Sequence, residues 1–504
     1  MYTLTLRLKT GRNGQNVLEK RFYAANHIHN VLVRHAGKLL TKLDHDAQYR
    51  ALKGEYVKLL KKEELSGDDK VRKKNLSREM TEIVRSYGLS EYAFQSYIKL
   101  CGKRYNKCLS SQQIQKEATN VWRGVEKILY GGGRKLHFRK YRDAKTIGGK
   151  SSTNGAKFHA DAHQVEWLGL TLDCGIPRDD PYVQEAFSGD LSYTVIKRAM
   201  FPNGWHYYAT LVCKGAAPKK LNTNADVNNV TGIDIGTSTF ASVSDDKAEL
   251  RELAPAAKAY NSRIKALQSS MDKSKKLYNP NKYNPDGTYK KGNHDKWIYT
   301  RTYLKKRDRL SSLQRQKAAY IKQSHEAMIN DLLMDSVSFV VEDMPFKSLQ
   351  KRSKKTERQD KVSTITSKDG TEKQTRKYKR KKRFGRSLNN RAPAEFITIL
   401  SRKAEQYGGG VVKVHTKAFR ASQYDHVADT YQKTDLRQRS RSVGGHTVQR
   451  DLYSAFLLKN TDNSLDKPDR DKCIYEFKQF VTMQNALIAD MKSRNISMRQ
   501  CFGF

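Results

Sequence analysis

Three short apolar segments, each with an acid at one end, constrain this chain more than any other feature. Thr231-Gly232-Ile233-Asp234-Ile235-Gly236-Thr237 reads as a strand with an acid near its end and a glycine just past it. Val337-Ser338-Phe339-Val340-Val341-Glu342-Asp343-Met344 reads as a second strand, ended by Glu342. Gln449-Arg450-Asp451-Leu452-Tyr453-Ser454-Ala455-Phe456-Leu457 reads as an apolar helix that Asp451 opens. An acid at the end of an element is more often a cap or a surface charge, so none of the three means much alone. Together, on three rigid ends, they are what a fold needs to gather carboxylates from distant parts of a chain. Asp343 is the rival to Glu342, but side chains alternate along a strand, so it is expected to point the other way. The small Ser454 and Ala455 suit a helix packed tightly on a sheet.

Charge narrows the partners. The chain has 504 residues, enough for several domains and more than one core. Lys and Arg total 96 against 52 acids, a net charge of +44. An enzyme for a small neutral substrate has no use for that much self-repulsion. A polyanion accounts for it, because phosphates neutralised by Lys and Arg release their counterions. Nucleic acid is therefore the expected partner. The six cysteines form no Cys-x-x-Cys pair, which argues against a disulfide framework and a cysteine zinc site. Free thiols suit a reducing interior. No stretch approaches the roughly 20 apolar residues of a membrane helix. The start lacks the apolar core of a signal peptide. A soluble, intracellular protein with no membrane partner is expected.

Residues 1–10 alternate like a strand, and residues 24–130 are helical in pattern until Gly131-Gly132-Gly133 breaks it. Residues 135–220 look β-rich at 165–172, 192–198 and 205–212, with Gly204 fitting a hairpin turn. A polar stretch at 222–229 marks a boundary, and from Thr231 a second domain begins, with 241–244 continuing its first strand as a hairpin. Residues 263–335 hold two basic helices around a Tyr-, Asn-, Pro- and Gly-rich bend at 278–293. Leu310, Leu313, Ile321, Met328 and Leu332 form an apolar stripe on the second, and His325 on its flank is expected to be packed rather than catalytic. Residues 347–386 are dense in Lys and Arg, cannot bury a core, and are expected to form a mobile loop that orders on nucleic acid. An amphipathic helix at 394–406 ends at Gly408-Gly409-Gly410. A strand at 411–414, an irregular polar stretch at 417–446 and a last helix at 475–491 complete the chain.

In-line hydrolysis of a phosphodiester needs a deprotonated water and a stabilised leaving oxygen, and two Mg²⁺ ions about 4 Å apart supply both. Mg²⁺ prefers carboxylate oxygens and keeps several waters, so a few acids suffice. Asp234 would bridge the ions, and Glu342 and Asp451 would each hold one side.

Residues 231–460 resemble the split RuvC nuclease domain of TnpB, the transposon-encoded RNA-guided nuclease, and of the compact type V CRISPR effectors related to it. The motifs are Gly232-Ile233-Asp234-Ile235-Gly236, Val341-Glu342-Asp343-Met344 and Arg450-Asp451-Leu452-Tyr453-Ser454-Ala455. Leu400, Lys403-Ala404 and Tyr407-Gly408 resemble the family's intervening helix, and Ser422-Gln423 the start of its zinc ribbon. Gly204-Trp205-His206-Tyr207 and Lys135-Leu136-His137-Phe138-Arg139-Lys140 resemble its wedge region more loosely.

The resemblance implies an α+β multidomain fold: a ribonuclease-H-like (RuvC) α/β nuclease domain plus a small β-barrel wedge domain with a helical recognition insertion. Residues 1–23 and 131–228 would form the wedge domain and 24–130 the helical recognition domain. Residues 229–416 would form the nuclease domain with its basic loop at 347–386, and 417–446 a target-loading insertion in place of the zinc ribbon. Residues 447–504 would add the third motif and a C-terminal helix. It implies Asp234, Glu342 and Asp451 as catalytic, metal-holding residues, with two Mg²⁺ ions for which Mn²⁺ can substitute. The implied partners are a structured guide RNA with a variable segment and a double-stranded DNA target. Guide pairing and a short flanking DNA motif would select the target, and a single RuvC site would cut it. Lys135, Arg139, Lys140, Arg301, Lys305, Lys306 and Arg450 are candidate nucleic-acid contacts. The implied location is a prokaryotic cytoplasm, at the nucleoid, and monomer and dimer both stay open.

One departure matters. The family often has two Cys-x-x-Cys pairs between Ser422 and Asp451, where this chain has no cysteine. His415, His426 and His446 do not replace thiolates, so no structural zinc is expected, and packing or RNA must hold the segment. Two other readings stay open. One is an RNA-guided DNA-binding protein, a repressor or transposition regulator, with little or no cleavage. The other is an actin-like sugar kinase, which shares the glycine-flanked Asp234 hairpin but needs a second Asp-x-Gly hairpin and has no use for the charge.

Overall fold

The computed structural model describes residues 1–62, 64–176, 180–187, 189–219, 223, 225, 227–285, 287–290, 292–350, 358–366, 372–378, 384–433, 435, 438–497 and 502–504. They form two compact units, Met1–Pro218 and Lys219–Phe504.

In the first unit, strand β1 (Tyr2–Leu8) runs almost directly into helix α1 (Arg12–His45). The helical pattern therefore starts well before residue 24. Leu18, Phe22, Ala25, Ile28 and Leu32 recur in steps of three and four and are all buried, which is what fixes α1 as a helix from its first turns. Helices α2 (Ala47–Leu60), α3 (Gly67–Ser86), α4 (Glu91–Lys103) and α5 (Ser111–Leu129) follow. The chain then builds β2 (Thr146–Gly148), β3 (Lys157–His159), β4 (Gln164–Trp167) and β5 (Leu170–Gly175), a short α6 (Pro181–Phe187), and β6 (Leu191–Phe201) and β7 (Gly204–Cys213). Residues 165–172 are a hairpin rather than a single stretch. The chain reverses at Leu168 and Gly169, whose φ angles of 43° and 74° are those of a turn matched to strand twist.

The seven strands pair antiparallel in the order β2-β6-β7-β1-β5-β4-β3. The sheet curls into a half-barrel, and its edge strands β2 and β3 do not pair with each other, so the expected barrel is open. Sheet and helices share one core, with Leu6, Phe22, Phe94, Val121, Trp167, Ile196 and Tyr207 among its buried members. Two buried arginines tie the layers together. Arg21 of α1 donates to the carbonyls of Trp167 (2.7 Å) and Leu168 (3.0 Å). Arg198 of β6 donates to the Ala144 carbonyl (2.7 Å), with its guanidinium 4.2–4.4 Å from the ring centres of Phe22, Tyr141 and Trp205.

The second unit opens with β8 (Val230–Ile235), β9 (Thr239–Val243) and β10 (Ala248–Glu252), an antiparallel meander. Helices α7 (Ala259–Leu277) and α8 (Arg301–Asp335) lead to β11 (Ser338–Glu342). Next come α9 (Phe346–Leu349), β12 (Arg358–Thr366), β13 (Glu372–Tyr378), α10 (Gly385–Arg391), α11 (Pro393–Gln406) and β14 (Gly410–Val414). The order β10-β9-β8-β11-β14 makes a mixed sheet, with β11 and β14 parallel to β8 and β11. One face, carrying Ile233, Ile235, Phe339 and Val341, packs on Leu332 and Leu333 of α8 and Phe396 and Leu400 of α11. His325 is buried on this side, its ring 5.4 Å from that of Phe396. The opposite face carries Ala241, Val243, Leu250, Val340 and Val414.

That opposite face is covered by the rest of the chain: α12 (Thr416–Phe419), β15 (Tyr424–Asp425), β16 (Thr430–Tyr431), β17 (Ser440–Val443), β18 (His446–Gln449), α13 (Arg450–Lys459) and α14 (Arg470–Ser493). The stretch at 417–446 is thus more ordered than its polar composition suggests. Phe419, Ala421, Tyr424 and Val443 join the core of α13 and α14. His426 is fully buried, accepts or donates at Tyr453 Oη (2.7 Å), and meets the edge of Phe477 at 4.6 Å. His415 and His446 are exposed. Within the basic stretch at 347–386, residues 358–366 and 372–378 pair as antiparallel strands instead of forming a structureless loop. The β-branched run Val362, Thr364, Ile365 and Thr366 explains it, since such residues favour the extended chain. Residues 351–357, 367–371 and 379–383 of that stretch lie outside the described residues. Among those described, no helix is long and apolar enough to cross a membrane.

Candidate metal centre

The three acids come from three elements of the second unit that the sheet brings to one place. Strands β8 and β11 are parallel and in register, with Ile233 opposite Val341. One residue further on, Asp234 and Glu342 therefore stand side by side, and equal alternation puts both on the face that carries Val340. Helix α13 lies on that same face. Gly232 makes this possible: a side chain there would overlap the Ala455 carbonyl oxygen and lie 2.9 Å from the Lys459 Cα. Two residues on from Gly232 is Asp234, and one turn back from Ala455 is Asp451. The close approach of glycine and helix thus sets the first turn of α13 over the end of β8. Gln449 caps that turn, its Oε1 accepting from the Leu452 amide at 2.7 Å.

The electrostatics reflect this crowding. All three carboxyls are half-buried. Burial, and then the charges of Asp451 and Glu342, hold the Asp234 carboxyl well above the ordinary carboxylate range, against the pull of Arg450 and Arg439. Burial pushes Glu342 up to about 7, offset only in part by the Ala421 amide. Burial also raises Asp451, while Arg439, Arg450 and the hydroxyl of Thr239 act the other way. Arg439 Nη1 lies 3.7 Å from Asp451 Oδ1. Asp343 is aimed away, as alternation requires. It is exposed and faces Lys413 Nζ at 4.0 Å.

The donor chemistry, though not the spacing, is that preferred by a hard divalent cation. Only oxygen ligands are offered, and each is pushed toward its protonated form by burial or by its neighbours, a state that a cation relieves. Among the described residues, no group of three or more His, Cys, Asp or Glu side chains is placed to hold a metal ion. Arg439 and Thr239 escape sequence reasoning. Arg439 sits in the polar 417–446 stretch with nothing in its surroundings to mark it, and Thr239 follows the Asp234 turn without any motif of its own.

The other candidate contacts divide. In the first unit Lys135 and Lys140 are exposed. Arg139 is not available to a phosphate. Its guanidinium holds Glu117 (3.3 Å), Asn26 Oδ1 (3.1 Å) and the Ala25 carbonyl (3.1 Å), which fastens the 135–140 segment to α1 and α5. In the second unit Arg301 and Lys305 are exposed on α8, and Lys306 is half-buried with its Nζ donating to Ser270 Oγ at 2.5 Å. Arg450 is half-buried beside the carboxylates.

No family model matches the chain, and no curated protein matches it. Among solved structures, 23 chains match. One is "Cryo-EM structure of CRISPR-Cas12f Ternary Complex", 11% identical, covering 91% of this chain and 99% of that chain, with a TM-score of 0.29. A likeness that weak carries no argument about this chain, so the functional reading rests on the carboxylate geometry.

Proposed function

We propose that the chain is an RNA-guided DNA endonuclease whose second unit is a ribonuclease-H-like, RuvC-type nuclease. One observation carries the reading: Asp234 and Glu342 stand in register on adjacent parallel strands, beneath the first turn of the helix that bears Asp451. Asp234, Glu342 and Asp451 would hold two Mg²⁺ ions, or Mn²⁺ in their place. Bound there, the ions supply an activated water and charge neutralisation at the leaving oxygen. The protein's own part is to fix the carboxylates on rigid ends and to bring Arg439 and Arg450 where a phosphate would meet them. The charge of +44 supports a nucleic-acid partner, and the motif resemblance supports a guide RNA and a double-stranded DNA target.

The reading as a guided binder with little cleavage has one observation in its favour, the absence of a tight three-ligand cluster among the described residues. The test is to express the chain with its native flanking DNA and sequence the RNA that co-purifies in moderate salt. A discrete RNA with a variable segment supports guide use and defines a target for an Mg²⁺-dependent cleavage assay. Bulk RNA that salt removes refutes guide use. A discrete RNA with DNA binding but no cleavage selects the binder.

A further inference from the structure

Helices α7 and α8 are joined by a tip whose described residues, 278–285, 287–290 and 292–300, are tied together by side-chain hydrogen bonds. Asn279 Nδ2 donates to the carbonyls of Lys275 and Ile298, both at 2.9 Å, and its Oδ1 accepts from the Ile298 amide at 2.7 Å. Lys282 is buried, its Nζ donating to Asn293 Oδ1 (3.1 Å) and the Asp295 carbonyl (2.5 Å). On this frame five rings cluster, Tyr283 also meeting Trp297 edge-on at 6.3 Å. Tyr283 stacks on Tyr289 at 4.9 Å, Trp297 meets Tyr289 edge-on at 5.7 Å and lies nearly parallel to Tyr299 at 6.5 Å, and Tyr299 stacks on Tyr303 at 4.7 Å.

Tyr283, Trp297 and Tyr303 are half-buried within the cluster, and its outer rings are exposed. Tyr289 is 54% exposed, Tyr299 40%, and Ile298 between the rings 62%. Exposed apolar surface gathered in one place marks a binding site. The charge around it says for what. Lys273, Lys276, Lys290, Lys296, Arg301 and Lys305 are exposed about the tip, against Asp272 and Asp295. Lys275 Nζ sits 4.0 Å from the Trp297 ring centre, which shows how the rings and cations interleave.

We propose that this tip is a stacking platform for unpaired nucleotides of RNA. Every base offers a π-face to an aromatic ring whatever its identity, while the lysines take the phosphates. A duplex keeps its base faces inside. RNA loops, bulges and ends present free bases before any duplex is opened, whereas DNA offers them only once its strands are separated, so RNA is the occupant before the target is met. The inference rests on the reading of RNA as a partner and does not depend on cleavage.

The test uses the full chain and a fluorescein-labelled, unstructured single-stranded RNA of about 12 nucleotides, the upper part of the site-size range for such surfaces. Anisotropy is read at fixed salt without divalent ions. The double variant Tyr289→Ala/Tyr299→Ala should bind roughly 10- to 100-fold more weakly, and Tyr289→Phe/Tyr299→Phe within about twofold of wild type. Tyr289→Ala alone, at the most exposed ring, should lose roughly fivefold and serves if the pair misfolds. Unchanged RNA affinity in a folded Ala variant overturns the proposal. An equal loss on duplex DNA overturns it too, because the effect is then general charge, and co-purified RNA that is as well protected from a single-strand-specific nuclease on the Tyr289→Ala/Tyr299→Ala protein as on wild type overturns the assignment to RNA. The assay contains no divalent ion and reads no cleavage, so failure of the nuclease reading leaves this result readable.

Discussion

Replacing Gly232 with alanine should lift α13 off the sheet and disable the carboxylate centre without touching a carboxylate. The added Cβ would overlap the Ala455 carbonyl oxygen and lie 2.9 Å from the Lys459 Cα. Carbon atoms sit best at roughly 3.5–4.0 Å. Both obstacles are helix backbone, so no rotamer change can relieve them, and the helix must retreat by on the order of 1 Å. Overpacking of this kind costs about 1–3 kcal/mol, which for a domain of this size lowers the melting temperature by roughly 2–10 °C. Asp451 rides on the same helix one turn from Ala455, so its carboxylate moves with it. A 1 Å misplacement can cost about 100-fold in rate. The assays are a thermal melt and Mg²⁺-dependent cleavage directed by the co-purified RNA. A Gly232→Ala protein with wild-type melting and wild-type cleavage would refute the claim that this contact sets the site.

Three further outcomes are expected. Gly54 lies exposed within α2 with nothing near its missing side chain, so Gly54→Ala should stabilise the first unit by about 0.5–1 kcal/mol, read by denaturant titration. Arg198→Lys should destabilise the first unit by about 2–4 kcal/mol, because lysine has no planar fork to fill the space between three rings and reach the Ala144 and Tyr141 carbonyls; an unchanged denaturation midpoint counts against it. The third concerns acid. Burial lowers His325 and His426 from 6.5 to about 4, so the unfolded chain takes up protons first, and the second unit loses stability as pH falls from 6.5 to 4, by about 3 kcal/mol per imidazole at most. Glu342 is raised from 4.5 to about 7, so the folded state takes its proton first and gains stability as pH falls from 7 to 4.5. Glu342→Gln removes that compensation, and melting in metal-free buffer should then fall more steeply with acid than in wild type.

What the sequence discloses follows from which forces are local. The alternation around Asp234 and Glu342 and the apolar run after Asp451 state their element types directly, since period two and period 3.6 are properties of the residues themselves. Gly232 is also legible in kind, as a glycine in a strand marks a close backbone approach, although only the fold reveals Ala455 and Lys459 as the partners. Arg439, Thr239 and the Ala421 amide are not legible, because they reach the carboxylates through tertiary packing from stretches with no periodic signal. The same limit hides the 417–446 segment, whose four core side chains are spaced irregularly among polar residues. The early start of α1 was available in the spacing of Leu18, Phe22 and Ala25, but the preceding polar residues masked it. Arg139 illustrates the opposite error: within a basic run it reads as a phosphate contact, and only the fold shows Glu117 beside it.

The central claim is that Asp234, Glu342 and Asp451 act as one metal-loaded centre that cuts DNA. The most direct measurement compares wild type with Asp234→Ala, Glu342→Gln and Asp451→Asn, each loaded with the co-purified RNA, for Mg²⁺-dependent cleavage and for target binding in the same preparation. Each variant should lose cleavage by roughly several orders of magnitude while binding RNA and target nearly as wild type does, and Mn²⁺ in place of Mg²⁺ should support cleavage in the wild-type protein alone. Full cleavage by any one of the three variants contradicts that residue's place in the centre, and full cleavage by all three would place the chemistry elsewhere in the chain.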